Sequence, residues 1–379
     1  MAMQYADPVT DKEQANMATA VQFIEAFNND DWDTVRQVVA PEFVYHHPMG
    51  GTVQAGPEGM VAAWSGFKQL SPDSWHPIPI MVAQDEFVAV LLPTYGTFTG
   101  QGPQSPSPTG GRLDYGMVNM VRFEEGKLIE IWFGMDPLVE LQAMGIAPQG
   151  PPRPISAEER GRLEAFRQAT PTVEDDYDSV VPFDNVIVAM GPDQSDRATK
   201  SRRVEVYRLD SGTPELIYTH LMPTVPPYAG DPAIAAEISC AVVERLFDMV
   251  LSSGDTSELS SLVTEEVVVH PTAMPCESGF FGLDGVTRWL SATWAAFEDI
   301  AFQVEQIVAH GEIVAVRWSA RGTSTGHFMG MPATGKPIGF TGVSMYRLEH
   351  GKIAEIWDAR NTFGIIQQIN PKVAEAHTH

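Results

Sequence analysis

The chain has 379 residues, 44% of them hydrophobic, enough for one large core or two ordinary ones. Lys and Arg total 24 against 49 Asp and Glu, a net charge of 24 − 49 = −25 at pH 7. A surface so negative repels phosphate backbones and anionic lipid, which argues against nucleic-acid and membrane partners. No apolar run approaches the ~20 residues of a bilayer span. The N-terminal MAMQYADPVTDKEQ lacks a secretory pattern, and Cys240 and Cys276 make no disulfide framework, so the expected compartment is the reducing cytoplasm.

In chain order, the predicted elements pass twice through one pattern. The first pass opens with helical spacing in AVQFIEAF (20–27) and a short second helix in DWDTVRQVVA. A strand ending at His47-Pro48 follows, then a helix over 57–70. Four strand patterns come next, WHPIPIMVAQ, EFVAVLLPTYGTF, LDYGMVNMVRF and KLIEIWF, before a closing helix. The middle of the chain holds the turn-rich QGPPRPIS, a helix in AEERGRLEAFRQA, the acidic TVEDDYDS and three alternating stretches, NVIVAM, RVEVYRL and ELIYTHL. The last two flank LDSGTP, which suits a hairpin turn. This segment is expected to be ordered and to pack on one or both flanking copies, because long structureless connections are unusual in compact proteins.

The second pass runs AVVERLF, TSELSSLV, VVVHP, a helix over 283–297, the strands FQVEQIVAH, EIVAVRWSARGTS, IGFTGVSMYRL and KIAEIWD, and a closing helix. Gly126-Lys127 falls on Gly351-Lys352, Glu130 on Glu355 and Trp132 on Trp357, all at an offset of 225; His47-Pro48 falls on His270-Pro271 at 223. The expected organisation is a first domain over 1–147, an accessory segment over 148–232 and a second domain over 233–379. Helices followed by a run of antiparallel strands indicate an α+β fold.

The order of elements, the His-Pro strand end and the terminal G-K-(L/I)-x-E-x-W signature resemble the SnoaL-like polyketide cyclase family in both copies. The resemblance implies two nuclear-transport-factor-2-like cones, each a curved, mostly antiparallel sheet wrapped around helices, the fold also used by ketosteroid isomerases. It further implies pairing of cones through their sheets, hence an internal pseudo-dimer, with a further homodimer possible. Related cyclases use no cofactor and remove a proton beside a carbonyl with a carboxylate at the mouth of the closing helix. The position matching that carboxylate is Asp136 in copy one and Asn361 in copy two. An amide is no general base, so the chemistry is expected in copy one, where an enclosed carboxylate would have a raised pKa. Capping is the competing role, since Asp136-Pro137 and Asn361-Thr362 are both ordinary helix starts.

Other candidates follow from position. His47 and His270 stand where the His-Pro strand reaches the pocket, as donors to an enolate oxygen or half-buried structural residues; neighbouring His46 points the other way. Glu130 and Trp132 share a strand face, as do Glu355 and Trp357, with the tryptophans as candidate pocket walls and the glutamates as pocket acids or rim partners. Tyr115 and Asn119 share a face as substrate donors, and Phe340 and Ser344 take their places in copy two. Asp358 is a substitute base or a partner for Arg360. Trp64, Trp294 and Trp318 read first as core, Trp64 also being kept as a substrate contact. His327, with Met329 and Met331 in GHFMGMP, is a candidate gate.

No His-Glu-x-x-His, Cys-x-x-Cys or Gly-x-Ser-x-Gly is present, and no metal or cofactor is expected. The terminal His377 and His379 read as a tail. Two functions stand: a cofactor-independent acid/base enzyme acting on a bulky apolar carbonyl compound by aldol cyclisation, isomerisation or carbon–carbon cleavage, and a non-catalytic module that sequesters an apolar molecule.

Overall fold

The structure, a computed structural model, describes residues 4–5, 10–49, 51–100, 108–145, 157–170, 179–183, 186–192, 202–208, 214–221, 231–271 and 279–370. The turn-rich 149–156, the acidic 172–178, most of the LDSGTP turn, Cys276, His377 and His379 lie outside these residues.

The first copy begins with α1 (Asp11–Asn28), started by a capping box in which Thr10 and Glu13 bond each other's backbone amides. Its residues Met17, Ala20, Phe23, Ile24 and Phe27 recur at helical spacing and are buried. After α2 (Trp32–Val38) come β1 (Val39–His47), β2 (Gly51–Gln54) and α3 (Gly56–Leu70). The sheet continues with β3 (Ile80–Gln84), β4 (Phe87–Thr97), β5 (Arg112–Glu124) and β6 (Lys127–Gly134), and α4 (Pro137–Ala143) closes the copy. β3 is shorter than WHPIPIMVAQ suggests, because Pro77 and Pro79 have no amide for a ladder.

The second copy runs α6 (Pro232–Arg245), a π-helical continuation (Leu246–Leu251), the one-turn α7 (Leu259–Leu262), β11 (Val263–Pro271), β12 (Phe280–Phe281) and α8 (Gly282–Ala296). Then follow β13 (Phe297–His310), β14 (Ile313–Ser324), β15 (Pro337–Glu349), β16 (Lys352–Arg360) and the closing α9 (Thr362–Ile369). The strands of copy one lie in the order β3-β4-β5-β6-β1-β2, and those of copy two in the order β13-β14-β15-β16-β11-β12. In each, one parallel pair (β1/β6, β11/β16) interrupts an antiparallel sheet. The two copies are therefore one fold twice, α+β cones as expected.

Each sheet has an inner face against its own helices and an outer face against the other sheet. Met120 and Val118 on β5, and Met345 on β15, are fully buried although they stand outside their own cone's core. Gly134 shows how close the sheets approach, for a Cβ there would stand 2.7 Å from Val343 Cβ of the other cone. The pseudo-dimer is thus internal, with a seam that buries apolar surface from both sheets. The closing helices meet through Leu138, Leu141, Phe363 and Ile366.

The middle segment forms a separate unit over residues 149–226 together with 1–4. It holds α5 (Ala157–Ala169) and four antiparallel strands, β7 (Ser179–Phe183), β8 (Val186–Pro192), β9 (Arg202–Arg208) and β10 (Glu215–Leu221), in the order β10-β9-β8-β7. The expected β9–β10 hairpin pairs Arg208 with Glu215. No helix among the described residues is long and apolar enough to cross a membrane.

Candidate functional site

Three places in the two cones carry polar side chains that the fold alone does not require: the first cone's interior, the joint between the closing helices, and a groove at the seam.

The first cone encloses a cavity of about 40 Å³. Helices α1 and α3 supply Phe23, Phe27 and Trp64; Phe23 lies tilted against Trp64 with centroids 4.2 Å apart, and Phe27 meets it edge-on at 5.0 Å. Among the lining residues only Asn119 and His76 are polar on the sheet side. Asn119 is buried and its Oδ1 meets no donor. His76, held by the Asn28 side chain through its backbone and by Thr94 Oγ1 at 3.1 Å through Nδ1, is fully enclosed; burial lowers its pKa to about 4 and keeps it neutral. Asn119 and Trp64 both line this cavity. Tyr115 shares their inner face but packs in the core beside the cavity. The volume, room for a few water-sized groups, suits a much smaller ligand than a bulky polyketide.

Asp136 is the principal correction. It is fully buried, yet it lines no part of this cavity. Its Oδ1 accepts the Leu138 amide at 3.1 Å, capping α4, and the Phe363 amide at 3.3 Å, in the first turn of α9. Burial raises its pKa from 3.8 to about 6, against bonds from Thr362, Leu138 and Phe363 that favour the carboxylate. The reason lies in the seam: packing α4 against α9 places two sets of orphan helix amides around one acid. Asn361 reciprocates, capping α9 through Gly364 N at 2.8 Å and donating from Nδ2 to Pro48 O at 3.1 Å in the other copy. Both positions cap, and both cross the seam.

A second correction concerns register. His46 stands opposite Trp132 in the β1/β6 pair, as His270 stands opposite Trp357 in β11/β16. The structural match of His270 is therefore His46, and His47 matches Pro271. A slip of one residue exchanges the faces of a strand. His46 stacks on Trp132 at 5.1 Å and bonds Glu130 Oε1 and Thr52 Oγ1, each at 2.8 Å. Burial would raise the Glu130 pKa, but bonds from His46 and Arg122 hold it below the ordinary value. In copy two His270 stacks on Trp357 at 5.6 Å with Glu355 3.6 Å away, and Glu355 binds Arg347 at 2.6 Å. Glu130, Trp132, His270 and Trp357 all face the seam, so none of them walls a cone.

The second cone is filled where the first is hollow. Trp318 pairs with Gly342 where copy one pairs Leu92 with Met117. The indole occupies the space a side chain at 342 would need, a Cβ there standing 2.3 Å from Trp318 Cζ2. Trp318 Nε1 donates to Ser344 Oγ at 2.8 Å, Ser344 Oγ donates to Asp358 Oδ1 at 3.0 Å, and Arg360 Nε donates to Asp358 Oδ2 at 2.6 Å. Asp358 thus points inward, as the Arg360 partner considered from sequence, with both oxygens engaged. Tyr346 beside it has a raised pKa, from burial first and the Asp358 charge second. Trp294 packs against this core and bonds Leu251 O at 3.1 Å. His327 is exposed, while its neighbours Phe328 and Met331 pack on the closing helices.

A larger void lies between the cones. A groove of about 440 Å³ is lined by His46, His47, Trp132 and Phe133 from copy one and by Arg317, Thr341 and Asn361 from copy two, among others. Arg317 lies over the Trp132 ring, 4.8 Å from its centroid. His47 is largely buried, which lowers its pKa, and its Nδ1 accepts the Met49 amide at 3.2 Å. Sequence reasoning did not single out His76 or Arg317. His76 hid in a Pro-rich stretch read as strand; Arg317 was visible as the one cation in the apolar run IVAVRW.

Among curated proteins none matches the chain. Solved structures match one cone's length at a time. A SnoaL-like protein from Jannaschia sp. CCS1 is 18% identical, covering 37% of this chain and 97% of its own, with a TM-score of 0.35. IdmH from Streptomyces antibioticus is 29% identical over 34% of this chain and 96% of its own, with a TM-score of 0.31. TsrD from Streptomyces laurentii is 21% identical over 35% of this chain and 96% of its own, with a TM-score of 0.32. The family model for SnoaL-like polyketide cyclase matches residues 18–144 and again 241–369, so the chain belongs to that family and carries its domain twice.

Proposed function

We propose that the first cone binds a small, largely apolar carbonyl compound and, in keeping with a family of cyclase and isomerase type, loosens a proton beside that carbonyl without a cofactor. The observation that carries this reading is the unpartnered amide of Asn119 inside an apolar cavity. The atom without a partner is Oδ1, an acceptor, so a ligand hydroxyl or enol that donates to it relieves a cost of about 1–3 kcal/mol, while a ligand carbonyl oxygen accepts from Nδ2 of the same amide. The same contact polarises the carbonyl and stabilises an enolate.

His76 is the one titratable side chain lining the cavity, and its neutral imidazole is the acceptor for the α-proton. Burial disfavours the imidazolium so formed, and the adjacent enolate charge offsets that cost. The proton moves from carbon to His76, the electron pair moves onto the carbonyl oxygen at Asn119, and the enolate is then reprotonated or adds to a second carbonyl. Asp136 stays out of this chemistry as the cap of α4 and a partner of the first turn of α9. That same engagement of Asp136 favours a second reading, sequestration without turnover.

Deuterium exchange at the α-carbon of small apolar ketones in D2O separates the two. Under the catalytic reading Asn119→Leu and His76→Gln each lower exchange, Asn119→Leu by ~10²-fold. Ketone binding, followed by fluorescence of Trp64, without any exchange in the unaltered protein supports sequestration. No binding at all removes both.

A further inference from the structure

The seam groove is asymmetric in a way the twofold repeat does not require. Pseudo-symmetry gives every residue at this mouth a counterpart at the opposite end of the seam. Arg317 pairs with Val343 on the seam face of β14, and the matching residue of copy one, paired with Val118, is Leu91. His47 matches Pro271 in the register that aligns His46 with His270. Two hydrogen-bond donors at one mouth thus correspond to a leucine and a proline at the other. The aromatic residue between them differs as well: Trp132 is half-buried, whereas its counterpart Trp357 is 6% exposed.

Each donor keeps a hydrogen that no acceptor among the described residues takes up. His47 Nδ1 accepts the Met49 amide, which leaves the ring proton of the neutral imidazole on Nε2. Arg317 Nη1 is paired with Glu305, but Nε is buried without an acceptor. No carboxylate stands among the described residues lining the groove, in a chain whose net charge is −25. Between the donors the lining is largely apolar, with Trp132 on the seam face of β6, Phe133 on its other face, and Val343 of the second copy. The volume, about 440 Å³, falls within the ~300–1,000 Å³ usual for small-molecule sites.

We propose that this groove is a second binding site, distinct from the first cone's cavity, for a small planar aromatic acid. Its ring fills the apolar space at the edge of Trp132 and beside Phe133 and Val343, and its carboxylate accepts from Arg317 and His47. The guanidinium suits a carboxylate because its planar fork offers two parallel donors, and the neutral imidazole adds a third without a desolvated charge. Because both cones line the groove, its occupant bridges the two copies and favours the closed seam by mass action.

The probe is 2-naphthoate, titrated into the full chain by calorimetry, with the uncharged 2-naphthamide beside it. The expected result is saturable binding of the acid, at least tenfold weaker binding of the amide, and a loss of at least tenfold in Arg317→Met. Thr341→Trp, a change at an exposed position on the groove mouth, blocks binding and serves if Arg317→Met fails to fold. Asn119→Leu, which alters only the cone cavity, leaves naphthoate binding unchanged. Absence of binding, equal affinity for acid and amide, or binding that survives Thr341→Trp overturns the proposal. Binding lost in Asn119→Leu instead assigns naphthoate to the cone and overturns it too, while leaving the reading of the first cone intact.

Discussion

The carboxylate of Asp136 receives the backbone amide of Phe363, 227 residues along the chain, at 3.3 Å, while capping its own helix through Leu138 at 3.1 Å. One acid therefore caps its own helix and bonds the first turn of a second, and Asn361, which caps that second helix, returns the contact by bonding Pro48 across the same seam. This joint sits where a cyclase of this family would be expected to keep its base, and it gives the position a structural task.

Asp136 links that joint to pH. Its folded pKa, about 6, lies above the ordinary value of 3.8, so the folded state holds the proton more tightly. The resulting stabilisation is complete below about pH 4 and is lost as pH rises through 6. Asp136→Asn keeps an acceptor and removes the ionisation, so its stability relative to the native chain should improve from pH 4 to pH 7.5 by on the order of 2–3 kcal/mol. Asp136→Ala removes the cap of α4 and the bond to the first turn of α9 and should cost about 2 kcal/mol at pH 4, a cost that shrinks towards pH 7.5 because this variant also lacks the ionisation. Urea unfolding of the three proteins at both pH values checks this; an Asp136→Asn protein that weakens relative to the native chain as pH rises would contradict it.

Glu140 titrates in the same direction. Burial raises its carboxyl from 4.5 to about 7, so ionisation there also weakens the fold as pH rises through neutrality. Glu140→Gln should become the more stable form between about pH 5 and 8. Carboxyl carbon NMR should place the Glu140 midpoint near 7; a midpoint near 4.5 would show that water reaches the group.

Trp318 and Gly342 form a matched pair. Gly342→Ala pushes a methyl against the indole and should destabilise by about 1–3 kcal/mol. Trp318→Leu should cost about 3–5 kcal/mol by leaving a cavity. Installing copy one's pair, Trp318→Leu with Gly342→Met, should recover part of that loss, so the double change is milder than the sum of the singles. Thermal unfolding of the double variant and its two singles measures the coupling, and strict additivity would show that the two sites are independent.

Much of this architecture is legible in the amino-acid sequence. The common offset of Glu130, Trp132 and Asp136 with Glu355, Trp357 and Asn361 identifies two copies, and the Asp-Pro and Asn-Thr steps identify two caps. What a linear reading misses is the third dimension of the seam. Strand periodicity says that Glu130 and Trp132 share a face, but which face meets the helices depends on the β1/β6 register, and the His-Pro dipeptide aligned His47 with His270 one residue out of step. His76 escaped notice because its importance comes from Phe27, Thr94 and Asn28, which are distant in sequence. Arg317 matters only beside Trp132 of the other copy.

Removal of Asn119's amide tests the first cone in stability as well as binding. With no donor for its Oδ1, Asn119→Leu should leave the fold unchanged or raise its stability by about 1 kcal/mol while abolishing ketone binding. A marked loss of stability would show that the amide serves the core rather than a ligand.

The most direct measurement compares α-carbon deuterium exchange of a bound small ketone in the native chain, in Asn119→Leu and in Asp136→Asn. Exchange that falls in Asn119→Leu and persists in Asp136→Asn is the result expected of a cone that polarises its ligand while Asp136 holds two helices together. Exchange that persists in Asn119→Leu and vanishes in folded Asp136→Asn would return the base to position 136 and contradict this reading.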